Sequence, residues 1–376
     1  MKIAICVIAY NRIDSIKRLL NSLSKAYYQE DVTLIISIDK SNSDIVGKIS
    51  NSFIWEFGDK RVIAHSSNLG LKKHILSIGN YFNEFDAIVV LEDDITVAPN
   101  FYNYTKQAVE KYTSDKSVAG IALYNYPQCI HKWLPFKPVH SDSDVYLMQV
   151  AVSWGQVWMK KQWEDFIQWY NNNEDDFSFQ PHLPKTICSW GKQSWLKYHM
   201  KYCIEENKYF VFPYISLATN NSDQGIHNSH KLTIFQTELL FGEKLVYKFN
   251  PIVKYDAFFE NKQLATFFNI SEKDLCVDYY GYKQNLQGSR YWLTRSLCNY
   301  RIVAQYSLEQ KPYEYNIYNN IEGNDLFLYD TKIKERNPYK SFKRKFIQNK
   351  NYIEYLFGFK LLSLIKNYVK MIFNKQ

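Results

Sequence analysis

The apolar run Ala87-Ile88-Val89-Val90-Leu91 passes without transition into three carboxylates, Glu92-Asp93-Asp94, and then into Ile95-Thr96-Val97-Ala98-Pro99-Asn100-Phe101. A short, β-branched apolar run of this kind reads as a strand buried on both faces. Pro99 suits the first turn of a following helix. Adjacent carboxylates repel one another unless a cation or hydrogen-bond donors share the site. Carboxylates at the carboxyl end of a strand in an α/β sheet also sit where such folds bind ligands. Hard oxygen ligands match Mg²⁺ or Mn²⁺ held jointly with phosphates. The plainer alternative is a solvated acidic turn.

The flanking sequence repeats one pattern. Ile3 to Ala9 is an apolar run that stops at Tyr10-Asn11-Arg12. Ile13, Ile16, Leu19, Leu20 and Leu23 then recur at helical spacing, with Lys17, Arg18, Asn21 and Ser22 on the opposite face. Val32 to Ile38 reads as a second strand ending at Asp39. Arg61 to His65 reads as a third, running into Ser66-Ser67-Asn68-Leu69-Gly70 and a helix-like stretch to about Phe82. Strands alternating with helices, each ending in polar residues, predict an α/β fold with a mostly parallel sheet and its site at the strands' carboxyl ends. No Gly-x-Gly-x-x-Gly follows the first strand, which disfavours a dehydrogenase-type dinucleotide site. The absence of Gly-x-x-x-x-Gly-Lys-Ser/Thr removes P-loop nucleotide hydrolases.

On these residues, the first 125 positions resemble the nucleotide-sugar-binding half of GT-A glycosyltransferases. Leu91-Glu92-Asp93-Asp94-Ile95-Thr96-Val97-Ala98-Pro99-Asn100-Phe101 is most similar to the acidic motif of N-acetylglucosaminyltransferase I and its bacterial relatives. Ile8 to Arg12 and Ile16 to Leu20 resemble the first strand and helix of those enzymes and of family 2 glycosyltransferases more broadly. The resemblance implies Asp94 on a divalent metal (Mn2+ or Mg2+), Asp93 on the ribose or the metal's shell, and Glu92 on the donor sugar. It implies Asp39 on uracil and Arg12 on the nucleotide's charged end. The chemistry agrees: the leaving nucleoside diphosphate gathers negative charge, which a metal and an arginine fork stabilise. Two plainer roles stay open, a surface arginine for Arg12 and a cap on the following helix for Asp39.

Of the rest, residues 126–330 are expected to form the acceptor-binding half and lid of the same catalytic domain. Ser153-Trp154-Gly155 and Ser189-Trp190-Gly191 sit where bacterial relatives carry tryptophan-rich motifs, and tryptophan faces suit sugar rings. Trp163 and Trp169 read equally well as core. A strand from Tyr209 to Leu217 leads into an Asn-rich turn ending Gly225-Ile226-His227. His227 is thereby a candidate metal or diphosphate contact, with Asp223 as companion; the plainer reading of His227 is a surface-loop histidine. An inverting transfer needs a carboxylate base beside the acceptor hydroxyl. The segment Trp190 to Trp195, where the resembling enzymes carry that acid, contains none, so the base stays open among Glu164, Asp165, Asp175, Asp176 and Asp223.

Charge is concentrated at one end. Residues 331–376 hold twelve Lys or Arg against two acids, a net of +10, and the remainder carries −2. The same segment is rich in Phe, Tyr, Leu and Ile at helical spacing, which predicts a basic amphipathic tail on an anionic membrane surface. The alternative is an apolar stripe docked on the catalytic domain. No nucleic-acid motif accompanies the charge. Six scattered cysteines without Cys-x-x-Cys spacing read as reduced thiols. The first residues already form a core strand, and no apolar run reaches ~20 residues. A bacterial, cytoplasmic enzyme, peripheral on the inner face of the cell membrane, is expected.

Together these features predict a metal-dependent inverting glycosyltransferase, moving a sugar from a UDP-sugar to a carbohydrate or lipid-linked glycan acceptor in surface-polysaccharide or lipopolysaccharide synthesis. Two other classes remain. A non-catalytic GT-A-like binding protein would account for the missing base. A nucleotidyltransferase would share the sheet, but Tyr10-Asn11-Arg12 is not its Gly-rich loop.

Overall fold

The computed structural model describes residues 1–173, 177, 180–223, 234–283, 286 and 288–341. The chain forms two compact units, one from Met1–Pro127 with Pro138–Ala257, the other from Gln128–Lys137 with Phe258 onward.

In the first unit the strands and helices begin as β1 (Ile3–Ala9), α1 (Ile13–Leu23), β2 (Thr33–Ile38), α2 (Ile45–Ser52), β3 (Lys60–Ala64) and α3 (Gly70–Ser77). They continue as β4 (Ala87–Glu92), β5 (Ile95–Val97), α4 (Phe101–Tyr112) and β6 (Val118–Ala122). The hairpin β7 (Gln128–Cys129) and β8 (Leu134–Pro135) belongs to the second unit. After it come β9 (Val145–Met148), β10 (Gln156–Met159), α5 (Lys160–Asn173), α6 (Lys185–Cys188), α7 (Leu196–Glu205), β11 (Tyr209–Pro213), β12 (Ala218–Asn220) and β13 (Lys254–Tyr255).

Among the described residues, nine of these strands make one sheet in the order β13-β9-β11-β6-β10-β4-β1-β2-β3. β1 is fully buried and pairs in parallel with β2 and β4, as its unbroken apolar run requires. Side chains alternate faces along a strand. Ile3, Ile5, Val7 and Ala9 join Ile16, Leu19, Leu20 and Leu23 of α1 in one core. The helical spacing of those four residues buries one stripe and leaves Lys17 and Asn21 in water.

Residue 125, expected to divide two halves of one catalytic domain, lies within the first unit. β10 lies antiparallel between β4 and β6, and β11 and β9 extend the same sheet beyond β6. Residues 138–257 therefore complete the first sheet, because their strands fill its middle and its far edge.

In the second unit, β14 (Leu275–Asp278), β15 (Tyr291–Thr294), β16 (Tyr300–Tyr306) and β17 (Leu326–Lys334) form a four-stranded sheet among the described residues, in the order β14-β15-β17-β16. Residue 331, where the basic tail is expected to begin, lies within β17. Thr331 donates both its N–H (3.0 Å) and its hydroxyl (2.7 Å) to the carbonyl of Arg290. The described residues end at 341, so the amphipathic stretch lies outside them. No helix among the described residues is long and apolar enough to cross a membrane.

Candidate active site

Because β1 and β4 are parallel neighbours, with Ile8 beside Glu92, the turns that follow them meet. The first turn presents Arg12 at the N-cap of α1, and the second is Asp93-Asp94 between β4 and β5. Arg12 bridges the two acids: Nη1 donates to Asp94 Oδ2 at 2.9 Å and Nη2 to Asp93 Oδ1. Both aspartates are buried, while Arg12 and Glu92 keep part of their surface in water.

One guanidinium does not neutralise three acids. Burial raises the Glu92 carboxyl well above the ordinary range, the charge of Asp94 adds to this, and Arg12 opposes it. Asp93 is pushed up to about 6 by burial, against the attraction and hydrogen bond of Arg12. Burial lowers the pKa of Arg12, but Asp94, Asp93 and Glu92 together outweigh it and lock the guanidinium charged. Asp93 Oδ2 and Asp94 Oδ1 are buried without a hydrogen-bond partner among the described residues. A buried carboxylate oxygen left unpaired is costly, and a cation relieves that cost. The turn thus fits a hard divalent ion. No group of three or more His, Cys, Asp or Glu among the described residues closes a metal site by itself. An ion here would complete its shell with water and substrate oxygens, as Mg²⁺ commonly does.

A second segment braces the acidic turn. β12 pairs antiparallel with β5, and Asn221, the residue after β12, donates its backbone N–H (2.9 Å) and its Nδ2 (3.0 Å) to the carbonyl of Asp94. The same Nδ2 lies 2.8 Å from Thr96 Oγ1. Two residues on, Asp223 accepts from Ser15 Oγ (2.7 Å) and from Arg18 Nη2, both on α1. Asn221, Ser15 and Arg18 escaped the sequence reading. An Asn in a turn after a strand was the available signal for the first, but nothing local pointed to the other two.

Asp39 follows β2, whose Ser37 is level with Ile8, itself level with Glu92, so Asp39 and Glu92 project from the same face of the sheet. Its carboxylate accepts from the N–H groups of Lys40 (2.8 Å), Leu69 (2.8 Å) and Gly70 (3.0 Å). It therefore caps α3, not the next helix α2, and anchors the loop 65–70 at the strand ends.

The other candidates divide. Glu164 and Asp165 lie on α5, whose first residue, Lys160, donates its N–H to the carbonyl of Asp86, just before β4 begins. They start from the opposite end of β4 to the acidic turn, and Asp165 pairs with Lys161 at 2.5 Å. The antiparallel course of β10 is the reason: it returns the chain to the amino end of β4 before α5 starts. Asp175, Asp176 and His227 lie outside the described residues.

The tryptophans divide as well. Trp158, Trp163 and Trp195 are buried together, with Trp158 stacked on Trp163 at 4.0 Å. Trp154 and Trp190 keep exposed surface. Beside Trp154, Gly155 has φ +90°, and a Cβ there would lie 2.8 Å from the Cβ of Ala218 at the start of β12.

Residues 4–146 match the family model for glycosyl transferase family 2. An α-1,3-mannosyl-glycoprotein 2-β-N-acetylglucosaminyltransferase from Arabidopsis thaliana is 25% identical over 114 residues, covering 28% of this chain. The match spans 25% of that relative's length. Among solved structures, TarS from S. aureus (residues 1-349) is 13% identical, with a TM-score of 0.36, covering 57% of this chain and 60% of that one. GalNAc-T7 with UDP, GalNAc and Mn2+ is 12% identical, with a TM-score of 0.39, covering 58% and 43%. The residues that match the glycosyl transferase family 2 model, 4–146, carry the acidic turn at the strand ends of the mixed α/β sheet.

Proposed function

We propose that this protein is a metal-dependent inverting glycosyltransferase, transferring a sugar from a UDP-sugar to a carbohydrate or lipid-linked glycan acceptor in surface-polysaccharide or lipopolysaccharide synthesis. One observation carries the reading. In the family 2 domain, a buried acidic turn with two unpaired carboxylate oxygens meets a single guanidinium at the carboxyl ends of central parallel strands.

Asp94 and Asp93 would hold Mn²⁺ or Mg²⁺, which supplies Lewis-acid stabilisation of a departing diphosphate. Arg12 is held charged beside that place, and its fork can exchange a carboxylate for phosphate oxygens. Asp39 fixes the loop 65–70 and keeps lone pairs for a donor's base. Asn221 holds the backbone at Asp94, so the turn keeps its shape when charge arrives. Asp223 is committed to Arg18 and Ser15. Among the described base candidates, Glu164 and Asp165 start from the far end of β4, and the base stays open with Asp175 and Asp176. The basic segment after residue 341 would hold the protein on the inner face of the cell membrane.

The test is a screen of nucleotide sugars by thermal shift with and without Mn²⁺, then product analysis of the donor that binds. Metal-dependent transfer with inversion at the anomeric carbon supports the reading. Metal-dependent donor binding with neither hydrolysis nor transfer replaces it with a binding protein, and full turnover in excess chelator ends the metal assignment.

A further inference from the structure

Phe241 is 88% exposed, Val246 73%, Leu245 62%, and Tyr27 and Ile215 46% each. Single exposed apolar residues are ordinary, but a connected set marks a contact surface. Hydrogen bonds make these residues neighbours. Tyr27 donates its N–H to the carbonyl of Pro99 at 2.9 Å, and the next residue, Asn100, donates its side-chain amide to the carbonyl of Gly242. The N–H of Leu240 reaches the carbonyl of Ser216 at 2.8 Å, which sets Ile215 beside the approach to Phe241. The strap then follows α4: Asn103 Nδ2 donates to the carbonyl of Lys244 (2.7 Å) and Gln107 Nε2 to that of Leu245 (2.9 Å). Tyr247 and Phe249 turn inward against Tyr104, leaving Leu245 and Val246 outward.

Two features select the partner. Side chains of α4 already occupy the strap's carbonyls, so an added strand would find no ladder there. Lysines also interleave with the apolar residues. Lys25 and Lys248 are exposed, Lys244 is half-buried and bound to Asp144, and Glu238 and Glu243 are the exposed acids on the strap and its approach. In a two-fold contact between copies these lysines would face one another, whereas an anionic bilayer takes apolar side chains and lysines at one depth. The chain's own net charge of +10 over residues 331–376 favours the same surface.

We propose that the Phe241–Val246 strap, flanked by Tyr27 and Ile215, is a lipid-contact surface of the catalytic unit, separate from the basic segment at the end of the chain. Asn100, which ties down the strap, follows Asp94 by six residues, at most roughly 20 Å of extended chain. Insertion of Phe241 would hold the acidic turn within that reach of the bilayer surface. The benefit to a lipid-linked acceptor rests on the transferase reading; binding to vesicles does not.

The experiment compares the full-length protein with its Phe241→Ser/Leu245→Ser/Val246→Ser variant in co-sedimentation with phosphatidylglycerol–phosphatidylcholine vesicles, without donor or acceptor. At about 1 M salt the screening length falls to about 3 Å, which leaves mainly apolar attachment. The native protein should keep measurable binding there, and the triple variant should bind at least about tenfold more weakly, with its melting temperature unchanged. If the triple variant does not fold, Phe241→Ser alone carries the comparison, with a loss of about threefold expected. Equal binding of native and variant proteins at high salt overturns the proposal, as does failure of the native protein to bind at high salt. A native dimer that the triple variant converts to monomer also overturns it, by making the strap a subunit interface.

Discussion

Asp94→Asn keeps the shape of the acidic turn and removes one charge from it. Without metal, two effects oppose each other. The variant loses the 2.9 Å pair with Arg12 and relieves the repulsion of Asp93, whose carboxyl, pushed up to about 6 by burial and in part by Asp94, is ionised at neutral pH. At an effective dielectric of about 20, unit charges about 4 Å apart interact by about 4 kcal/mol, so both terms are of that order and of opposite sign. The metal-free fold should therefore change by about 1 kcal/mol or less, a shift of about 2–4 °C in melting temperature at this size. With a divalent ion nothing cancels, because Asp94 supplies both a charge and a buried unpaired oxygen. Several kcal/mol are lost, so metal affinity and turnover should each fall about 10²–10³-fold. Melting curves in chelator and in Mn²⁺ with UDP, alongside donor turnover, read both halves. A variant that keeps the full Mn²⁺ shift refutes the metal assignment. One that melts more than about 10 °C lower in chelator refutes the charge cancellation.

Asp93, raised to about 6 from its ordinary 3.8, stabilises the metal-free fold fully below the lower value and loses that contribution as pH rises through the upper one. Stability in chelator should fall across this window, and Mn²⁺ affinity should rise up to about tenfold per pH unit, measurable by titration calorimetry. Gly155→Ala meets both a positive φ and the Cβ of Ala218, so urea unfolding should show a loss of about 1–3 kcal/mol. Ending the chain before Thr331 cuts β17 and should destabilise the second unit by more than about 2 kcal/mol, read by thermal unfolding.

The parts legible in the sequence are those whose signal is local. The apolar run of β4 and its acids, the strand before Arg12, and the buried stripe of α1 were all read from contiguous residues, and the structure brings them to one place. What escaped depends on distant pairing. Asp39 finds its partners thirty residues on, at Leu69 and Gly70, because β2, β3 and α3 are stacked in order. Asp223 is tied to Ser15 and Arg18 across more than two hundred residues. Four-residue β10 carries no distinctive pattern, yet its place between β4 and β6 decides which end of the sheet Glu164 and Asp165 occupy. The pairing of strands across residues 125 and 331 likewise leaves no trace in composition.

The hairpin of residues 128–137 has a consequence for how the protein is made. Its His131 stacks on Tyr282 at 5.0 Å and its Phe136 meets Phe259 at the same separation. Those partners leave the ribosome roughly 120–150 residues later, a delay of roughly 6–30 s at ordinary elongation rates. During that interval Ile130, Leu134 and Phe136, all buried in the finished protein, lack the partners that the second unit supplies. Synthesis thus passes through a stage in which a nearly complete catalytic unit displays a sticky, unmatched hairpin, the state at which a trigger-factor-like chaperone would act and at which a stalled or prematurely terminated chain would aggregate.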